Sequence, residues 1–142
     1  MWQTPKTNWY GSVDANGHYE GDRFNAVDFN RIKNNLEYLR EMAIKMYKEF
    51  SIVSLGSDRT PADYFYADEI NQLEANLNTI NSNTLKQAYG ETPVYIENGN
   101  TMTFAELNRL EGAILDLYDK LTNEMYGRRM FTWNFGMKGG GL

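Results

Sequence analysis

A mainly α fold, with three principal helices from a loose internal repeat, one or two short β-hairpins and extended terminal arms, follows from three observations on the sequence. The first is a recurring pattern. An acid (Asp28, Glu69, Glu106) precedes an apolar residue (Phe29, Ile70, Leu107) and an asparagine (Asn30, Asn71, Asn108). Two residues on comes an aliphatic (Ile32, Leu73, Leu110), with more at Leu36 and Leu39, Leu77 and Ile80, Ile114 and Leu117. These intervals form one stripe on one helix face. The second observation is a pair of Asn-Gly steps, Asn16-Gly17 and Asn98-Gly99, between β-favouring runs. Both residues tolerate the positive φ that tight hairpin turns need. The third is composition: 142 residues, 42% hydrophobic and without cysteine, fit one domain with a modest core and no disulfide or thiolate metal site.

Residues 1–23 read as an N-terminal arm with a hairpin. Pro5 keeps Thr4 out of a helix. Trp2, Trp9 and Tyr10 are large apolar groups on a segment too short to bury them alone. A calcium loop is the alternative for the turn, since Asp14, Asn16, Glu20 and Asp22 surround Gly17, but their spacing misses the calcium-loop template.

The three-helix body spans residues 24–127. Helix one starts near Asn25, which forms a capping box with Asp28, and is expected to reach about Phe50. Its stripe is Phe29, Ile32, Leu36, Leu39, Ala43 and Met46, extended by Tyr47 and Phe50, while Lys33, Glu37, Glu41 and Lys45 take the wet side. The short run 51–55 leads into a loop over 56–61. Helix two begins at Tyr66 or Ala67 and continues toward Leu85 and Tyr89 until Gly90 stops it, weakened by Asn76, Asn78, Asn81 and Asn83. Residues 93–103 form the second hairpin signal and feed helix three, capped by Thr103 and Glu106. Its stripe runs through Leu107, Leu110, Ile114, Leu117, Leu121 and Met125, and Gly127 is expected to end it. Residues 128–142 then read as an extended aromatic, basic and glycine-rich tail.

The net charge of −5 is unevenly spread. Residues 60–127 hold eleven acids against Lys86, Arg109 and Lys120, whereas the tail holds Arg128, Arg129 and Lys138 with no acid. An acidic body argues against nucleic acid, which requires a basic face. No run approaches the length of a membrane span, and the start lacks the pattern of a signal peptide, which points to a soluble protein. His18 is the only histidine, and neither a phosphate loop nor a dinucleotide fingerprint is present. These features predict no catalysis, metal or cofactor, with Glu106 and Glu111 explained by capping and solvation. Asn30, Asn71 and Asn108 are expected to bond backbone groups of the preceding turn or of a neighbouring helix, since asparagine is otherwise unfavourable there. Trp2, Trp9, Tyr10, Arg128, Arg129, Phe131, Trp133 and Phe135 are expected to make contacts between subunits of a homo-oligomer.

Thr4-Pro-Lys-Thr-Asn-Trp9 followed by residues 21–35, Gly-Asp-Arg-Phe-Asn-Ala-Val-Asp-Phe-Asn-Arg-Ile-Lys-Asn-Asn, resembles a segment of tail, baseplate and fibre proteins of tailed bacteriophages and prophages. The ending Gly139-Gly-Gly-Leu142 is similar to short glycine-rich ends on some of them. The resemblance implies a small structural subunit, made in the host cytoplasm and built into a virion, that binds itself and other virion proteins. The chain has no room for the large β-rich receptor domain of many fibres, which favours a connector, collar or baseplate role. Two rival expectations are a small carbohydrate-binding or carbohydrate-active protein, with Trp2, Trp9, Tyr10 and Trp133 as stacking surfaces, and a host-targeting regulatory protein encoded by a phage.

Overall fold

The computed structural model describes residues 2–63, 66–90, 92–95 and 103–137, with positions 13, 19 and 128–137 described by their backbone. Strands β1 (Gly11–Val13) and β2 (Tyr19–Gly21) pair antiparallel with Ser12 opposite Glu20. Three helices follow: α1 (Ala26–Ile44), α2 (Ala67–Ser82) and α3 (Phe104–Met137). Among the described residues the fold is therefore mainly helical with one short hairpin, as the repeat and the first Asn-Gly step predict. Asp14 takes up its Oδ1 in the turn, accepting from the Asn16 and His18 amides at 2.9 Å each, and Gly17 supplies φ +82°. Of the second hairpin signal, over residues 93–103, residues 93–95 lie in no strand, and the Asn98-Gly99 turn itself lies outside the described residues.

Each helix starts where its acid sits. Asn25 Oδ1 accepts from Val27 N at 3.1 Å while Asp28 Oδ2 accepts from Asn25 N at 3.0 Å. At α2, Glu69 accepts from Tyr66 N at 3.3 Å, and at α3 Thr103 Oγ1 accepts from Glu106 N at 3.2 Å. The repeated stripes then meet in one core: Phe29, Ile32, Leu36, Leu39, Leu73, Leu77, Ile80, Leu110, Ile114, Leu117 and Leu121 are all buried.

The three helices run parallel. Arg31 and Glu111 meet near the starts of α1 and α3, and Tyr47 and Glu124 meet toward the other end. Arg109 and Glu74 do the same near the starts of α3 and α2. Parallel neighbours demand a long return. A 19-residue helix is ~28 Å long, so an extended chain needs roughly nine residues to come back beside it. The connections 45–66 and 83–103 supply those returns, and the residues described within them lie outside the regular elements.

Three boundaries differ from expectation. α1 stops at Ile44 rather than near Phe50, because the chain must turn back, and Met46, Tyr47 and Phe50 reach the core from the turn instead. α2 stops at Ser82, and Lys86 takes a left-handed φ of +54° in the reversal. The expected extended tail is corrected most: α3 passes through Gly127 and stays helical to Met137. One interior glycine costs about 1 kcal/mol, while each added residue extends a helix already nucleated and anchored in the core.

Candidate functional site

The repeated asparagines hold extended chain, not the preceding turn or a neighbouring helix. Asn108 Oδ1 accepts from Trp9 N at 2.7 Å and its Nδ2 donates to Trp9 O at 3.0 Å. Asn30 grips Arg59 in the same way, at 2.7 and 2.9 Å, and Asn71 grips Tyr95 at 2.8 and 2.7 Å. A side-chain amide carries one carbonyl and one N–H group in the arrangement of a peptide. Each asparagine thus imitates one residue of a β-partner and satisfies both backbone groups of an isolated extended segment.

A second set sits five residues further along. Asn35 grips Gln3 at 2.8 and 2.7 Å, and Asn76 grips Val53 at 3.1 and 2.8 Å. The corresponding residue of α3 is Ala113, buried and without an amide. Arm 1 (residues 2–9) lies between α3 and α1, arm 2 (52–59) between α1 and α2, and arm 3 (described over 88–90 and 92–95) between α2 and α3. Arms 1 and 2 are thereby gripped by asparagines of two different helices, whereas arm 3 is gripped by Asn71 of α2 and meets α3 through Tyr89, whose Oη donates to Asp116 at 2.7 Å. The order is cyclic, so arm and helix together form a unit repeated around a pseudo-threefold axis.

Charged groups cross beneath the arms with the same logic. Glu111 is fully buried and accepts from Arg31 Nε at 2.6 Å, Arg31 Nη2 at 2.8 Å, Trp9 Nε1 at 2.5 Å and Lys6 N at 3.1 Å. The equivalent pair one groove on is a half-buried Arg109 with Glu74, whose side chain is fully buried. In the third groove the charges change: Lys33 turns away to Gly56 O and Asp58, both at 2.9 Å, and Gln72 donates to Asn76 at 2.8 Å. Lys33 and Glu111 are therefore buried, which corrects their assignment to the wet side. Burial pushes the Glu74 carboxyl up, opposed by Arg109. Burial pulls the Arg31 guanidinium down, but Glu111 and Asp28 outweigh it and leave it raised. Tyr95, which stands where Trp9 stands, is pushed up to about 12 by burial, with Glu106 and Glu74 adding to it. Tyr95 Oη and Glu74 Oε2 are buried without the hydrogen bond that Trp9 makes to Glu111.

Of the residues expected at an interface, Trp9 is buried by the chain's own helices, which removes it from any contact between subunits. Trp2 is half-buried and stacks on Tyr118, ring centroids 3.9 Å apart. Tyr10 is exposed. The side chains of Arg128, Arg129, Phe131, Trp133 and Phe135 lie outside the described residues. Sequence reasoning missed Asn35 and Asn76, although both stand five residues past a repeated asparagine. It also missed Arg31, Glu74 and Arg109, whose signal is a charge at the positions one and three past those asparagines. Among the described residues no three acids or histidines gather to hold a metal, and no helix is long and apolar enough to cross a membrane. Comparison of the chain with protein-family models, with curated proteins and with solved structures returns no match.

Proposed function

We propose that this protein is a small structural subunit of a phage virion or a related particle, acting through protein–protein contacts at a tail, baseplate, collar or fibre connection. The observation that carries the reading is the length of α3. It has 34 residues against 19 and 16 for its neighbours, or ~51 Å against ~28 Å for α1. All three helices start together, so the last turns of α3 stand beyond the bundle. Tyr126 at the base of this overhang is exposed. The sequence there, Arg128-Arg-Met-Phe-Thr-Trp-Asn-Phe135, is basic and aromatic, a composition suited to an acidic neighbour.

The resemblance to phage tail proteins adds support. Its two stretches, residues 4–9 and 21–35, fall in arm 1 and across the start of α1, and Asn35 grips Gln3 just before the first of them. The shared pattern thus coincides with one arm-and-helix unit. The reading assigns no reaction. Glu111 already receives four donors, and Glu74 and Arg109 serve each other. The carbohydrate alternative loses Trp9, whose ring is buried, and one face of Trp2.

Mass spectrometry of density-purified particles from the strain carrying the gene tests the proposal. The chain is expected at fixed stoichiometry with tail proteins, and deletion of residues 128–142 should abolish its incorporation while lowering helical circular dichroism only by the residues removed and keeping cooperative unfolding of the bundle. Its absence from purified particles overturns the reading.

A further inference from the structure

Three residues hold the same place on the three arms: Trp9, Arg59 and Tyr95, gripped by Asn108, Asn30 and Asn71. Two of them find an acid. Trp9 Nε1 donates to Glu111, and Arg59 pairs with Glu69. Tyr95 finds none, although Glu74 stands three residues past Asn71 just as Glu111 stands three past Asn108. Its Oη and Glu74 Oε2 both lack a hydrogen-bond partner, yet Tyr95 is only 6% exposed and Glu74 0%. The arginines explain why Oε2 is left over. Arg31 places Nε and Nη2 on the two oxygens of Glu111. Arg109 instead gives Nη2 to Glu74 Oε1, turns Nε to Glu106 at 2.8 Å and points Nη1 at Tyr89 O, 3.4 Å away.

We propose that the α2–α3 groove binds one water molecule between Tyr95 Oη and Glu74 Oε2, in place of the indole bond that closes the α3–α1 groove. An ionised carboxylate only accepts, so whatever completes Oε2 must donate. Water donates to Oε2 and accepts from the phenol, which satisfies both atoms at once. A buried polar atom left unpaired bears its full desolvation cost, and buried waters occur in proteins where such atoms converge. Two observations bring these atoms together. The grip of Asn71 on Tyr95 repeats that of Asn108 on Trp9, which delivers the Trp9 ring to within 2.5 Å of Glu111. The charge of Glu74 also adds to the upward push on the Tyr95 phenol, which keeps its proton and remains a donor. The near-complete burial of both residues limits the occupant to a molecule of that size. Charge selects a neutral one. Arg109 already bridges Glu74 and Glu106, and among the described residues no three acids or histidines gather, whereas a hard cation takes about six or more oxygens. The inference is independent of the particle role proposed above.

A high-resolution crystal structure of the full chain provides the test, with two variants beside it. The wild type is expected to show an ordered water about 2.5–3.0 Å from both Tyr95 Oη and Glu74 Oε2. Tyr95→Phe removes one of its two partners and should lose it. Tyr95→Trp should lose it too, because the introduced indole N–H reaches Glu74 directly, as Trp9 reaches Glu111. A dry groove, a direct bond from Tyr95 Oη to Glu74, or an occupant with the many-oxygen coordination of a metal ion each overturns the proposal. So does a water that persists unchanged in Tyr95→Phe, since Glu74 would then hold it without the phenol. The wild-type structure decides by itself should either variant fail to fold.

Discussion

At the scale of single residues, the buried carboxylates have the largest consequences. Glu111 neutralises Arg31 inside the α3–α1 groove, where the Arg31 side chain is only 11% exposed. Glu111→Ala removes one of that cation's two carboxylate partners, leaving Asp28 at 3.0 Å, and should destabilise by about 2–3 kcal/mol, measured by chemical unfolding. Glu111→Gln keeps an acceptor for Trp9 Nε1 and should cost clearly less. Tyr95 gives a pH signature. Its phenol is neutral in the fold up to about 12, against about 10 in an unfolded chain. Its contribution to stability is therefore complete below pH ~10 and is lost as pH rises toward ~12. Burial and its bond to Asp116 raise Tyr89 as well, so phenolate absorbance should show late-titrating tyrosines, one fewer in Tyr95→Phe, and an unchanged late fraction in that variant would contradict the burial assigned to Tyr95.

At the scale of elements, the clamps decide whether an extended arm stays on its helices. Asn108→Ala removes two hydrogen bonds from Trp9, and at about 1 kcal/mol each the loss should be about 2 kcal/mol. Trp9 fluorescence should shift to the red as the ring meets water. The half-buried Asn34 bonds the exposed Asp58 carboxylate, and Asn34→Ala should stay within about 0.5 kcal/mol. Equal effects for the two substitutions would remove the special status of the repeated position. The helix starts were legible because caps and stripes are local: Asn25 with Asp28, Thr103 with Glu106, and apolar residues at helical spacing. The partners of Asn30, Asn71 and Asn108 were not, since they lie 29, 24 and 99 residues away along segments that have no pattern of their own. Lys33, Glu74 and Glu111 look like surface charges until the arms cover them. Gly127 and the alternation after it suggested a stop and a strand, and the helix anchored by Leu117 and Leu121 overrode both.

At the scale of the whole molecule, one unit used three times explains both the regularities and the exceptions. Two grooves carry a crossing Arg–Glu pair, and the third carries Gln72 and Lys33 instead. If the pseudo-threefold relation is physical, Lys33→Glu and Gln72→Arg should compensate each other. A double-mutant cycle should return favourable coupling of about 1–3 kcal/mol, and zero coupling would argue that the grooves are not equivalent. The cyclic order also has a consequence for synthesis. The arm made first is held by the helix made last, for Lys6 and Glu111 are separated by 105 residues and Trp9 and Asn108 by 99. A chain leaving the ribosome from its N-terminus exposes the Trp9 indole until α3 has emerged, and only then does the ring of units close. Contacts so distant along the chain slow folding, so this seam is the last to form and the step at which a chaperone or a premature neighbour can intervene.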